Sequence, residues 1–81
     1  MNYVDLVSFL VKSLVKDPEM VSIKQFDTEE DEIQIHILVD SEEIGKVIGK
    51  RGSIANAIRT IVQAASYANH DKKVKIHIES F

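Results

Sequence analysis

The chain has 81 residues, 44% of them apolar and 28% charged, which is the composition of a single small folded domain with a thin margin of stability. With no cysteine it has neither a disulfide framework nor a thiolate zinc site, in keeping with a reducing, cytoplasmic setting. The net charge of −3 weighs against a polyanionic partner for the chain as a whole, and no apolar run reaches the length of a membrane span.

Residues 2–16 read as a helix. Val4, Val7, Val11, Leu14 and Val15 fall on one stripe, widened by Leu6 and Leu10, while Asp5, Lys12 and Lys16 mark the wet side. Asn2 is the N-cap candidate, and Asp17-Pro18 ends the helix because the residue before proline disfavours the αR region. A strand follows over residues 20–26, with Val21 and Ile23, and then the acidic turn "DTEEDE". The run "IQIHILV" alternates, with Ile33, Ile35, Ile37 and Val39 on one side and Gln34 and His36 on the other. Two strands joined by a short polar connection read as an antiparallel hairpin.

Asp40 or Ser41 caps a short helix that runs to about Ile48, with Glu42 and Glu43 in its first turn. A longer helix runs from Ser53, its N-cap candidate, to about Asn69. Its core stripe is read as Ile54, Ala57, Ile58, Ile61, Ala65 and Ala68, with Asn56, Arg59, Gln63 and Ser66 opposite. The last run, "KVKIHI", alternates again with Val74, Ile76 and Ile78 inward. The order is α-β-β-α-α-β. Strands joined through two helices pair in parallel by default, so the expectation is an α+β fold with a three-stranded mixed sheet and helices on one face.

The charges are unevenly spread. Ten of the thirteen acids lie between Asp17 and Glu43, whereas Ile44 to His70 holds no acid but does hold Lys46, Lys50, Arg51 and Arg59. That basic stretch centres on "VIGKRGSIANAI", where Gly49 and Gly52 bracket Lys50 and Arg51. One reading is a tight helix–helix turn whose glycines supply backbone angles and whose bases are merely solvated. Three features favour an anion-holding loop instead. Two glycines let a sugar-phosphate backbone come close, the N–H groups opening the next helix form an anion site, and both intervening residues are cationic where a plain turn favours Asn, Asp or Ser. A nucleotide-enzyme loop fails on spacing: only three residues separate Gly45 from Gly49, Lys50 is followed by Arg51, and no G-x-G-x-x-G is present.

The stretch "IGKVIGKRGSIANAIRTIV", residues 44–62, resembles the core motif of the KH domain, V-I-G-x-x-G followed by a helix with apolar residues at Ile54, Ile58 and Ile61. The extra helix and strand on the N-terminal side resemble the type II arrangement of bacterial proteins. Residues 1–81 are thus read as one KH domain, its β-α-α-β core at about 32–79 and a helix-strand extension at 2–27. In that the chain is similar to the small stand-alone bacterial KH proteins of the KhpA (YlqC) type. The resemblance implies that Gly49, Lys50, Arg51 and Gly52 clamp the backbone of about four nucleotides of single-stranded RNA. It implies an apolar groove with Ile44, Gly45, Val47 and Ile48 as one wall and the exposed edge of strand 33–39 as the other. Lys46 and Arg59 would flank the loop toward adjacent phosphates, and Ser53 would offer a hydroxyl and a backbone N–H. It also implies an RNA chaperone-like regulator, a second KH-containing partner of the KhpB or Jag type, and a link to cell shape and cell-wall homeostasis.

With no aromatic residue in the loop or the short helix after the hairpin, base stacking is not expected there, and selectivity should be low. His36 and His77 should approach on the outer sheet face, but no third ligand recurs beside them, so no metal or other cofactor is expected. Nothing in the pattern points to catalysis. Surplus apolar surface, with Phe9 and the helix around Ile61, Val62 and Ala65, suggests a homodimer. Two other readings remain open: a protein–protein module with a vestigial loop, and a binder of single-stranded DNA.

Overall fold

Isoleucine at every second position makes the centre of this fold. In the computed structural model, which describes residues 2–28 and 31–81, strand β2 (Glu32–Val39) buries Ile33, Ile35, Ile37 and Val39 on one face. β1 (Ser22–Asp27) pairs with it antiparallel on one side, and β3 (Lys73–Ser80) pairs parallel on the other. The register sets Ile35 against Ile76 and Ile37 against Ile78, so the inner face is one apolar sheet. Burying such a side chain contributes about 1.5–3 kcal/mol, which makes this face the main source of stability. Helices α1 (Tyr3–Lys12), α2 (Ile44–Ile48) and α3 (Ser53–Ala68) supply Val7, Val11, Val47, Ile58 and Val62 to the same core. The α-β-β-α-α-β order, the mixed sheet and the helices on one face are those of the type II KH fold.

Local chemistry sets the ends of the elements. Asn2 caps α1 as expected, its Oδ1 accepting from the N–H groups of Val4 and Asp5. α1 stops at Lys12 rather than running to residue 16, because the Ser13 hydroxyl bonds to the Phe9 carbonyl and Leu14 N–H turns to Val11. Asp40 caps a turn rather than a helix: its Oδ1 takes Glu42 N–H at 2.9 Å, and α2 begins only at Ile44. α3 ends with Asp71 N–H on Ser66 O and His70 N–H on Tyr67 O, with His70 at φ 54° in the left-handed position that usually takes glycine. Of the acidic hairpin turn, Glu29 and Glu30 lie outside the described residues.

The buried stripe of α3 is rotated from the expected one. It consists of Ala55, Ile58, Val62 and Ser66, whereas Ala57 and Ala68 are exposed and Ile61 is 46% exposed. Ser66 is fully buried because its hydroxyl donates to the Lys72 carbonyl, which lets the entry to β3 pass close to the helix. Val62 is likewise fully buried, so it belongs to the core and not to a dimer surface.

Two carboxylates tie the elements together. Glu43 accepts the Lys16 N–H at 2.5 Å and pairs with Lys46 Nζ at 3.2 Å, so the linker after α1 is fastened to the start of α2. Asp71 accepts the Lys72 N–H and the Tyr3 hydroxyl, fastening α1 to the turn before β3. These bonds, chiefly the backbone one in each case, hold both carboxyls below their ordinary pKa. A carboxylate with a depressed folded pKa stabilises fully above its unfolded value, about 4, and its contribution is lost as pH falls through the folded value. The urea midpoint should therefore drop as pH is lowered from about 5 toward 3. The Glu43→Gln, Asp71→Asn double variant should show a shallower drop. An equal slope in both proteins would remove these two groups as the cause.

Candidate nucleic-acid interface

Between α2 and α3 the chain makes one tight turn of 3-10 geometry over Lys50–Gly52. Gly49 ends α2 with its N–H on Gly45 O at 2.9 Å, and Gly52 N–H returns to Gly49 O at 3.1 Å. Three of the four loop residues have positive φ: Gly49 at 78°, Arg51 at 57° and Gly52 at 75°. The turn is therefore fixed by backbone angles that favour glycine, and Arg51 holds one of them with a side chain attached. The consequence is that Lys50 and Arg51 stand at the tip of a tight turn. Both are exposed, and neither enters a salt bridge among the described residues.

The other expected phosphate contacts divide. Lys46 is exposed but paired with Glu43, a surface ion pair weak enough to exchange for a phosphate. Gly45 is exposed on α2, and a Cβ added there would meet nothing within 4 Å, so the helix surface beside the loop is open. Ile44 is half-buried next to it. Ser53 is not the N-cap: Gly52 is, and the Ser53 N–H is taken by Lys50 O inside the turn, leaving only its exposed hydroxyl. Val47 is fully buried in the core, so it forms no groove wall.

The largest change concerns the far wall. β2 is the central strand, bonded on both sides, so strand 33–39 has no exposed edge. The free edge next to the loop's helix belongs to β3. A groove of about 570 Å³ lies there, lined by Arg59, Thr60, Gln63, Ala64 and Tyr67 from α3 and by residues 74–77 from β3. Arg59 bridges it, donating to Asn56 Oδ1 and to the Ile76 carbonyl at 3.3 Å each. Gln63 Oε1 accepts the Val74 N–H at 2.9 Å, which fixes the orientation of the carboxamide, and its Nε2 is buried with no acceptor among the described residues. Two α3 side chains thus occupy the hydrogen-bonding groups of the edge strand. Gly52, Arg59, Gln63 and Tyr67 stand two turns and then four residues apart, on one helix face, so the loop and the groove form a continuous strip. The sequence reading sets Arg59 and Gln63 together opposite the core stripe but leaves out Tyr67, four residues further on the same face. Tyr67, 63% exposed, supplies an aromatic ring to the groove that the expectation of no stacking had not included.

The comparisons with known proteins bear on the family and the fold. A family model described as "KhpA/KhpB, KH domain" matches residues 4–78. The chain is 46% identical over 74 residues to the RNA-binding protein KhpA of Clostridium perfringens, covering 91% of this chain and 96% of that one. It is 36% identical over 77 residues to the protein of the same name from Borreliella burgdorferi, covering 95% and 92%. Among solved structures, Aquifex aeolicus Era bound to GDP·AlF4− matches in fold, with a TM-score of 0.70 at 15% identity over 98% of this chain and 30% of that one.

Proposed function

Since the chain belongs to the KhpA/KhpB family of KH domains, and relatives of it are named RNA-binding protein KhpA, we propose that it binds RNA, and single-stranded RNA in particular. The observation that carries this reading is the tight Lys50-Arg51 turn, whose two exposed cations enter no salt bridge among the described residues, at the head of the α3–β3 groove. The turn takes the phosphates and the groove takes the bases. Tyr67 offers a ring and Arg59 a cation along the groove; Lys46 and the Ser53 hydroxyl lie at the loop end. The reading is of a binding module, and a vestigial loop has no reason to keep both cations.

Gly45 separates this reading from a protein–protein module. Glycine inside a helix destabilises it by roughly 0.5–1 kcal/mol relative to alanine, and here a methyl group has free space. Gly45→Ala should therefore leave the fold as stable or slightly more so, while the methyl intrudes where the phosphate backbone approaches. Affinity for a short uridine oligomer, read by fluorescence anisotropy, should fall about tenfold, an overpacking effect of 1–3 kcal/mol. Unchanged affinity would place the RNA elsewhere. The same oligomer in deoxy form tests the single-stranded DNA alternative.

The proposal extends, on family membership, to a cytoplasmic RNA chaperone-like regulator acting with a KhpB/Jag-type KH partner in cell shape and cell-wall homeostasis. Self-association is supported by the exposure of Phe9 (71%) and Ile61 (46%). Sedimentation should show a dimer forming at micromolar or higher concentration, and a monomer throughout would remove that part.

A further inference from the structure

The sheet face turned away from the helices carries a row of rings, one from each strand. Phe26 on β1 meets His36 on β2 edge-on, with ring centroids 5.0 Å apart at 77°. His36 in turn lies against His77 on β3, with centroids 4.6 Å apart at 36°. The parallel register places the two histidines directly opposite each other, and Gln34 Oε1 stands 3.4 Å from His36 Nε2. Phe26 is 49% exposed and Leu38, two residues along β2 from His36, 37%, while His77 is exposed. A single exposed apolar residue is ordinary; rings in contact across three neighbouring strands make a larger flat surface.

Two observations say what would lie on it. His77 and Lys75 also line the α3–β3 groove, so the row is continuous with that groove around the β3 edge. The face also carries Lys24, Lys73 and Lys75 against Glu32 and Glu79, a positive surplus on a chain whose net charge is −3. We propose that the open sheet face is a second stacking surface, which takes bases of the same RNA strand once they leave the groove and turn around β3. Every base has a π-face, and aromatic rows on exposed sheets stack bases without needing a sequence. The proposal rests on the groove reading only for the path by which the strand arrives.

Oligomer length tests it. A tetramer of uridines fills the groove, whereas an octamer reaches the sheet face. The octamer has about five registers on a four-nucleotide site, which alone gives about a fivefold advantage, and one further stacked base adds about tenfold. The unmodified protein should therefore bind the octamer at least about fiftyfold more tightly than the tetramer. Phe26→Thr with His36→Thr keeps strand-forming residues on an exposed face and should cut the advantage to about fivefold without changing tetramer affinity. An advantage of only fivefold in the unmodified protein overturns the proposal and leaves the face to a protein partner. An advantage that survives in the variant, or an equal loss for both lengths, overturns it as well. Reversing Lys50 and Arg51 should weaken both lengths together, so failure of the groove reading shows separately, as a tetramer affinity that does not change. In the unmodified protein the His36 ring signals should shift by NMR on adding the octamer and not the tetramer. Their staying fixed overturns the proposal without any substitution.

Discussion

Replacing Lys50 and Arg51 with aspartate is expected to weaken single-stranded RNA binding at least about a hundredfold while leaving the fold intact. Both side chains are exposed and make no salt bridge among the described residues, so their loss removes no such contact from the protein itself. Aspartate is among the residues that tolerate the left-handed region, so it fits the φ of 57° that Arg51 already holds. Each charge-assisted hydrogen bond to a phosphate contributes about 1.5–3 kcal/mol, so two together exceed the 2.8 kcal/mol or so of a hundredfold change. Repulsion from two new carboxylates adds to that. Lys12 and Lys16, also exposed, serve as the control: Lys12→Asp with Lys16→Asp makes the same change in net charge away from the loop and keeps the Lys16 N–H that Glu43 binds. Binding in that control should fall far less. Equal losses in the two variants would reduce the effect to net charge, and wild-type affinity in a folded loop variant would leave the turn without a role.

The two alternating strands, the hairpin and the parallel return were legible because period-two patterning leaves little choice of face: Ile33, Ile35 and Ile37 against Ile76 and Ile78 all fall inward as read. The glycine-bracketed turn was legible for a related reason, since Gly49 and Gly52 hold backbone angles that few residues adopt. The α3 stripe was misread because the helix carries apolar residues nearly all round. Hydropathy alone cannot choose Ala55 and Val62 over Ala57 and Ile61. What decides it is Ser66, a polar residue buried because β3 brings the Lys72 carbonyl to its hydroxyl. The groove wall was misassigned for a topological reason. A strand that pairs with both its neighbours has no edge left, and the expected hairpin together with the expected parallel return already implied as much for β2. The aromatic contribution of Tyr67 and His77 followed from that same misassignment, since both stand at β3 or face it.

Gly49→Ala should be the most destabilising change in the loop. With φ 78° and ψ 173°, Gly49 occupies a region that is essentially closed to side chains, which costs about 1–3 kcal/mol to enforce. An added Cβ would also stand 2.6 Å from Ile54 Cγ1 and 2.8 Å from the Ile54 nitrogen, so the first turn of α3 would have to move. Overpacking of this kind costs a further 1–3 kcal/mol. A total of about 2–6 kcal/mol is a large share of the roughly 5–15 kcal/mol that holds a typical domain together, and one of 81 residues sits toward the lower end. Gly52 is the internal comparison. Its φ of 75° and ψ of 12° are those of the ordinary left-handed region, and a Cβ there would come no closer than 3.8 Å to Asn56 Nδ2. Gly52→Ala should therefore lose only the left-handed penalty of about 1–2 kcal/mol. Urea denaturation should put the Gly49→Ala midpoint well below that of Gly52→Ala. Equal midpoints would mean that the close approach of Gly49 to Ile54 is not what fixes the turn, and that the two glycines serve only by their backbone angles.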